Sequence, residues 1–232
     1  MPRCPNLAAR LCGYVAAQEA DGARGGIIKV TQEHVDARRR QILSAALRAF
    51  ARNGFHRTTM QDIIREAEFS PGAVYSYFEG KDELIRAIIG AMMGFVAETA
   101  ELFSEPLPEG RLRSPAEALV EVIERYRRLE LGTVEERARI FPHLVGEQQR
   151  DPMLNAAVRA GIDRLRQGFE MLAQSAQERG ELDPALEPAH YSRVAVAILQ
   201  GLLLQLGVFG DEIDIDGYAT AAAQLLDRPP GL

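Results

Sequence analysis

The sequence predicts an all-α protein of about nine helices. Of its 232 residues, 47% are hydrophobic and only 6% are aromatic, with no tryptophan. Alanine and leucine abound, whereas the alternating valine, isoleucine and threonine of typical strands are rare. Apolar residues instead recur at three- and four-residue intervals over most of the chain after residue 33. These observations favour packed helices over strands or disorder.

Residues 1–33 show no such period and are predicted to form a flexible tail. They contain the glycine-rich run 21–26 and both cysteines, Cys4 and Cys12, which we interpret as free thiols because their spacing fits neither a disulfide framework nor a zinc site. The apolar stretch 11–17 is too short for a signal sequence. Without an export or membrane signal, the chain is expected to be cytoplasmic and not to bind a membrane.

The next segment, residues 34–80, is predicted to fold into three helices. The first extends from about residue 34 to residue 52, and Gly54 follows as a stop because glycine adopts positive φ without a Cβ clash. The second, 60–67, begins after Thr59, whose hydroxyl pairs with Asp62 as an acidic capping box.

The third helix is predicted over residues 71–78. Its N-cap is Ser70, and proline occupies its first position, where the missing N–H costs nothing. The turn that joins the second helix to the third therefore spans three residues, 68–70.

A long helix follows at 81–104 and is predicted to connect two domains. Pro106, Pro108 and Gly110 then break the helical period and mark the start of a second domain, 105–232. Further helices are predicted there at about 115–131, 133–149, 152–180, 187–209 and 214–228.

Charge is distributed unevenly along the chain. The whole protein has 27 Lys and Arg against 33 Asp and Glu, for a net charge of −6. Residues 34–57 nevertheless contain six arginines against the single acid Asp36, whereas residues 91–232 carry fourteen basic and 23 acidic side chains. A basic head on an acidic body suits phosphate binding by the head, although a solvated helix face would show the same excess of arginine.

The second and third helices fit a helix-turn-helix. Inward positions must be apolar to lock the two helices together, and outward positions must be small or hydrogen-bonding to enter a major groove about 12 Å wide. The inward positions are Ile63, Ile64, Val74 and Phe78, and the outward ones are Ser70, Gly72, Ala73, Tyr75, Ser76 and Tyr77.

Many residues over roughly 36–90 match one known signature in register. They are Gly54-Phe55, Thr58 through Ile64, Ala67, Ser70 through Phe78, and Lys81 through Leu84. This pattern resembles the DNA-binding signature of the tetracycline-repressor (TetR) family. The resemblance implies a transcriptional repressor, not an enzyme, with no cofactor. It also implies a homodimer that binds a palindromic double-stranded operator and is released by a small, largely apolar effector.

The resemblance implies roles for individual residues. The base edges of DNA would be contacted by Ser70, Gly72, Ala73 and Ser76. Phosphates would be bound by Tyr75 and Tyr77, and also by Thr59 and Lys81 from the starts of their helices. The DNA backbone would also be contacted by Arg38, Arg39 and Arg40. The sequence departs from the family at Glu68, where glycine is usual. If this position needs a positive φ, glutamate costs about 1 kcal/mol relative to glycine, and its charge lies close to DNA.

Beyond the head, the resemblance extends only to the layout. It implies a four-helix bundle between protomers, for which 152–180 and 187–209 are the candidates. The second candidate carries Val194, Ile198, Gly201, Leu202 and Gln205 at three- and four-residue spacing, as a buried core helix also would. An effector pocket is expected between the fourth helix and residues 115–180. Its candidate lining, which core residues resemble, is Met92, Phe95, Tyr126, Phe141, His143, Leu144, Phe169 and Tyr191.

Two alternatives remain at this stage. His143 and Glu147 are four residues apart and could bind a metal, but no second such pair, nucleophile elbow, phosphate loop or dinucleotide fingerprint supports an enzyme. The other is a regulator controlled by a protein partner, with a collapsed core. In a ligand-responsive regulator, the two recognition helices of the dimer must lie about 34–36 Å apart to bind a palindrome. A ligand that tilts the fourth helix would change this spacing and so release the DNA.

Overall fold

The structure, a computed structural model, describes residues 32–227. The predictions for the tail up to residue 31, its two cysteines included, lie outside the described residues. The chain divides into two compact units, Met1–Ala37 and Arg38–Leu232. Within the described range there are nine α-helices and no strand, which confirms the all-α prediction.

The helices begin and end within a few residues of the predicted positions, except at the end of the first and third. They are α1 (Gln32–Arg57), α2 (Met60–Ala67), α3 (Pro71–Tyr75), α4 (Lys81–Glu101), α5 (Pro115–Arg128), α6 (Val134–Glu147), α7 (Pro152–Glu178), α8 (Pro188–Phe209) and α9 (Ile215–Leu226), with 3-10 turns at Leu102–Ser104 and Gly210–Glu212.

Local capping explains where the head helices begin. Thr59 accepts a hydrogen bond from the backbone of Asp62, whose carboxylate accepts one from the Thr59 backbone, so the predicted capping box is confirmed. Ser70 caps α3 by accepting from the Ala73 N–H. Gly54 interrupts α1 with φ 74° and ψ 165°, although helical turns resume as far as Arg57.

The third helix is shorter than predicted. It ends at Tyr75, because the following backbone tightens into a turn in which both Tyr77 and Phe78 donate to the Val74 carbonyl at 3.1 Å. The Ser76 hydroxyl also donates to the Ala73 carbonyl at 2.7 Å, a local bond that competes with regular helix.

Two apolar cores organise the unit Arg38–Leu232. The body core lies between α5, α7, α8 and α9 and includes Ala100 of α4 and Phe103 of the 3-10 turn that follows. The head core combines α1–α4 with four residues of the body, namely Leu131, Ile140, Leu144 and Leu154. Helix α4 thus belongs to both cores, and the α5–α6 loop and α6 pack directly on the head.

Two helices, α4 and α8, are long and apolar enough to cross a bilayer by length and composition. In α4, however, Leu84, Ile88 and Ile89 are buried in the head core. In α8, Leu199, Leu202 and Leu206 are buried in the body core. The apolar character of both helices is therefore used, at least on these faces, for packing within the protein.

Candidate functional site

The recognition-helix candidate α3 presents a polar face to solvent. Val74 and Phe78 are buried beneath it, as the inward pattern predicted. On the outer side Ser70, Gly72, Tyr75 and Ser76 are exposed, while Ala73 and Tyr77 are half-buried. A Cβ placed on Gly72 would meet nothing within 4 Å. The outer face is therefore open, with room for a large partner to approach the backbone.

Not all of the arginines in the basic segment face this surface. Arg48 and Arg52 both pair with Glu66, the first at 2.6 Å, and so join α1 to α2. Hydrogen bonds from Arg52 and Arg48 hold the pKa of Glu66 below its usual range. These two side chains therefore stabilise the packing of α1 on α2. From the sequence alone they were counted among the basic residues that would face phosphates.

The arginines at the start of the segment are divided in the same way. Arg39 stacks on the Phe78 ring at 4.2 Å and donates to the Tyr77 carbonyl at 3.2 Å, so it holds the end of α3 against α1. Arg38 lies over the Phe69 ring at 4.9 Å, and Arg40 is exposed. Of the three, Arg40 has the most solvent-accessible position for a phosphate contact.

Lys81, predicted to bind a phosphate, has a structural role that the sequence did not reveal. Its Nζ donates to the carbonyl oxygens of Phe55 at 2.9 Å, Thr58 at 3.2 Å and His56 at 3.4 Å. The lysine therefore ties the start of α4 to the end of α1. Thr59, the other residue predicted at a helix start, is exposed beside α2.

Glu68, which stands where the family usually has glycine, adopts the left-handed conformation, with φ 58° and ψ 30°. Of the described residues, it is the only one other than glycine with a positive φ. Its side chain is exposed close to the recognition helix.

We expect Glu68→Gly to raise the free energy of unfolding by about 1 kcal/mol, because glycine has no Cβ clash at this φ. Urea denaturation measures this change. Glu68→Gln is the matched control, since it removes the charge and keeps the backbone cost. If Glu68→Gln stabilised the protein as much as Glu68→Gly, charge and not backbone strain would be the cause.

The body contains an apolar cavity of 340 Å³, partly open to solvent. Five predicted residues line it, namely Met92, Phe95, Tyr126, Phe141 and Leu144. Further lining residues that the sequence did not single out come mainly from α7 and α8, among them Val158, Ile162, Leu165, Leu199, Leu203 and Leu206. The cavity thus extends from α4 across to the inner face of α8.

Three residues predicted for the pocket lie outside this cavity. Phe169 is fully buried and packs edge-on against Phe103, with ring centres 5.1 Å apart. The Tyr191 hydroxyl donates to the Leu226 carbonyl at 2.8 Å, so it joins α8 to α9. His143 is exposed on the other side of α6, next to the Phe55 ring. Periodicity alone could not separate these faces from the cavity face.

A metal site finds no support in the part of the chain that the structure describes. His143 and Glu147 belong to no group of three or more potential metal ligands there. Glu147 instead lies 4.0 Å from His56 at the end of α1. These side chains are placed where α6 meets the head.

Comparison with known proteins supports the resemblance seen in the sequence. Residues 42–88 match the family model described as "Bacterial regulatory proteins, tetR family". The chain is 30% identical over 211 residues to the HTH-type transcriptional regulator YfiR of Bacillus subtilis (strain 168), an alignment that covers 84% of this chain and 92% of YfiR.

Two solved structures share the fold. A transcriptional regulator from Saccharomonospora viridis, in complex with choline, has a TM-score of 0.64 at 20% identity and covers 84% of this chain and 97% of that one. The regulator FadR from Bacillus subtilis, in complex with stearoyl-CoA, has a TM-score of 0.61 at 18% identity, covering 81% of this chain and 96% of that one.

The helix-turn-helix head, the all-helical body and the similarity to YfiR over most of both chains lead to the same assignment. The chain belongs to the TetR family of bacterial transcriptional regulators, which are DNA-binding proteins and not enzymes.

Proposed function

We propose that this protein is a cytoplasmic repressor that binds a palindromic operator as a homodimer and leaves it when a small, largely apolar effector occupies the body cavity. The observation that carries the DNA-binding part is the outer face of α3. Its exposed side chains are small or hydrogen-bonding, and they stand on a fully buried Val74. A rigid helix with such a face suits the major groove.

An effector site is supported by the cavity itself. A regulator controlled only through a protein partner needs no internal space, whereas 340 Å³ falls within the range of small-molecule pockets. Fold relatives bind choline and stearoyl-CoA, so this body architecture accommodates quite different ligands. The lining of this cavity is mostly aliphatic and aromatic, which favours an apolar effector.

Helix α4 supplies the connection between effector and DNA. Its Ile89 and Met92 are packed in the head core and also line the cavity. A ligand that requires a different position of these side chains would tilt α4 and move the recognition helices of the dimer. Release follows only if the effector has a higher affinity for the tilted conformation.

The proposed dimer interface is an exposed apolar stripe on α8. Its members, Val194, Ala197, Gly201, Leu204 and Val208, follow each other at intervals of three and four residues. Val194, Leu204 and Val208 are 55%, 49% and 66% exposed. Such a seam is the pattern by which two helices pack across an interface. Leu202, which the sequence grouped with this seam, is buried in the body core.

We propose α9 as the second helix of the bundle, where the sequence had offered residues 152–180. The Tyr218 hydroxyl donates to the Ile198 carbonyl, which holds α9 against α8. Leu225, seven residues later on the same side of α9, is 75% exposed. By contrast, the exposed positions of α7 are largely polar, including Arg159, Asp163 and Gln167.

We expect Gly72→Glu to abolish DNA binding while the protein stays folded. The new side chain has free space on the protein, but it places a carboxylate against the phosphates and bases, which costs several kcal/mol and lowers affinity at least about 100-fold. The measurement is a gel shift with DNA from upstream of the coding region, at about 50 and about 200 mM salt.

The matched control is Gly146→Glu on α6, where a Cβ likewise meets nothing within 4 Å. It should shift the DNA as the wild type does. If Gly72→Glu bound as well as this control, α3 would not be the recognition helix. If the wild type selected no DNA even from a random-sequence pool, the DNA-binding function would be refuted.

A further inference from the structure

One polar group at the cavity has no acceptor within the protein. The Tyr126 ring lines the cavity, yet its hydroxyl is buried and donates to no described residue. The ring is held on two sides, by Phe95 edge-on at 6.0 Å and by the Arg137 guanidinium at 4.7 Å from the ring centre. Because a buried donor without an acceptor is costly, a role in binding would explain its retention.

The environment of this hydroxyl makes it a donor. Burial raises the pKa of Tyr126 to about 12, and the Arg137 side chain opposes this rise through its charge and as a hydrogen-bond donor. The hydroxyl therefore keeps its proton at neutral pH. The positive guanidinium beside the ring also favours a ligand atom that is electron-rich over one that is a second donor.

The remaining lining residues offer nothing to balance a charged ligand. Arg127 is the only charged residue among the described residues that line the cavity. It is already paired with Glu124 at 2.9 Å and with Asp216 at 2.6 Å. A cation that entered the apolar part of the cavity would lose its hydration without gaining a counter-charge, which is strongly unfavourable. An anion would find only Arg137 nearby, and that guanidinium already donates to four backbone carbonyls.

We propose that the effector is an uncharged molecule with a mostly apolar body and one hydrogen-bond acceptor, such as a carbonyl oxygen, that binds the Tyr126 hydroxyl. This inference rests on the proposed function, since it assigns the chemistry of the same cavity. Because the hydroxyl itself is buried in the structure, binding requires the ring to turn until the hydroxyl faces the cavity.

The test compares two probes of nearly the same shape, benzophenone and diphenylmethane, of which only the first has an acceptor. Their Kd values are measured by calorimetry on the full-length wild type and on Tyr126→Phe. We expect the ratio of the two Kd values to shift about tenfold in favour of the hydrocarbon when the hydroxyl is removed. The anion 4-benzoylbenzoate should bind more weakly than benzophenone to the wild type.

Tyr218→Phe is the matched control, because it also removes one partly buried tyrosine hydroxyl but lies outside the cavity. It should lower the melting temperature, since its hydroxyl is bonded, and leave the probe ratio unchanged. Tyr126→Phe should change the melting temperature less than Tyr218→Phe, since the Tyr126 hydroxyl donates to no protein group.

The inference is overturned if the probe ratio is the same in the wild type and in Tyr126→Phe, if neither probe binds the wild type, or if the anion binds most tightly. None of these results depends on DNA. A gel shift of the wild-type preparation, without probe, reports separately on the proposed repressor.

Discussion

Replacing Arg137 by methionine should lower the free energy of unfolding by about 3 kcal/mol. Arg137 is 1% exposed and is among the largest fully buried side chains of the described residues. Its guanidinium donates to the carbonyl oxygens of Tyr126, Leu129, Leu131 and Gly132, at 2.5 to 3.0 Å. Methionine fills similar space but leaves these buried acceptors without their donor.

The effect should extend to the head, because the loop that Arg137 holds packs against α1. Leu131 is 4% exposed within the head core. At Gly132, with φ 63°, an added Cβ would overlap Leu47. We therefore expect Arg137→Met to weaken the packing of the α5–α6 loop against α1 as well as the end of α5.

Urea denaturation at a fixed protein concentration measures the loss. Arg139→Met is the matched control, since Arg139 is exposed on the same helix and its replacement should change stability by less than about 0.5 kcal/mol. The stability of Arg137→Lys should lie between those of the wild type and Arg137→Met. Its ammonium keeps the charge but lacks the planar fork of donors with which the guanidinium reaches four acceptors. An Arg137→Met variant as stable as the wild type would show that the loop does not depend on this side chain.

Local signals explain why the helices could be predicted from sequence. Thr59 with Asp62, and Ser70 followed by proline, act on their own backbone within three residues, so their effect is independent of the rest of the fold. The left-handed conformation of Glu68 did not follow from a local signal; it was raised only because the family that the sequence resembles usually has glycine at that position.

The roles of Lys81 and Arg137 could not be predicted, because their partners come together only in three dimensions. Lys81 contacts carbonyls more than twenty residues away in sequence, and a lysine at a helix start is compatible with a phosphate contact as well. Similarly, Phe141 lines the cavity while Phe169 fills the core. Both lie on amphipathic helices, and hydropathy does not distinguish an apolar wall from an apolar interior.

Replacing Leu204 by glutamate should convert the proposed dimer to a monomer. Leu204 is the fourth of the five members of the α8 stripe and is 49% exposed in the isolated chain. In a twofold interface the substitution occurs twice, so two carboxylates would be buried without counter-charges, at a cost of several kcal/mol per charge.

The monomer should bind operator DNA at least about 100-fold more weakly, since a single head loses the gain in effective concentration that the second head provides. Its own fold should persist, because the substituted side chain is half-exposed on the outer side of α8. Analytical ultracentrifugation gives the mass in solution, and the gel shift gives the affinity.

Met153→Glu is the matched control for the choice of helices. Met153 is 81% exposed on α7, the helix that the sequence placed in the dimer interface. We expect this variant to remain dimeric and to bind DNA as the wild type does. If Met153→Glu dissociated the dimer and Leu204→Glu did not, the interface would lie on α7 instead. If neither variant dissociated, the contact between protomers would involve neither Met153 of α7 nor the stripe on α8, and that apolar stripe would need another partner.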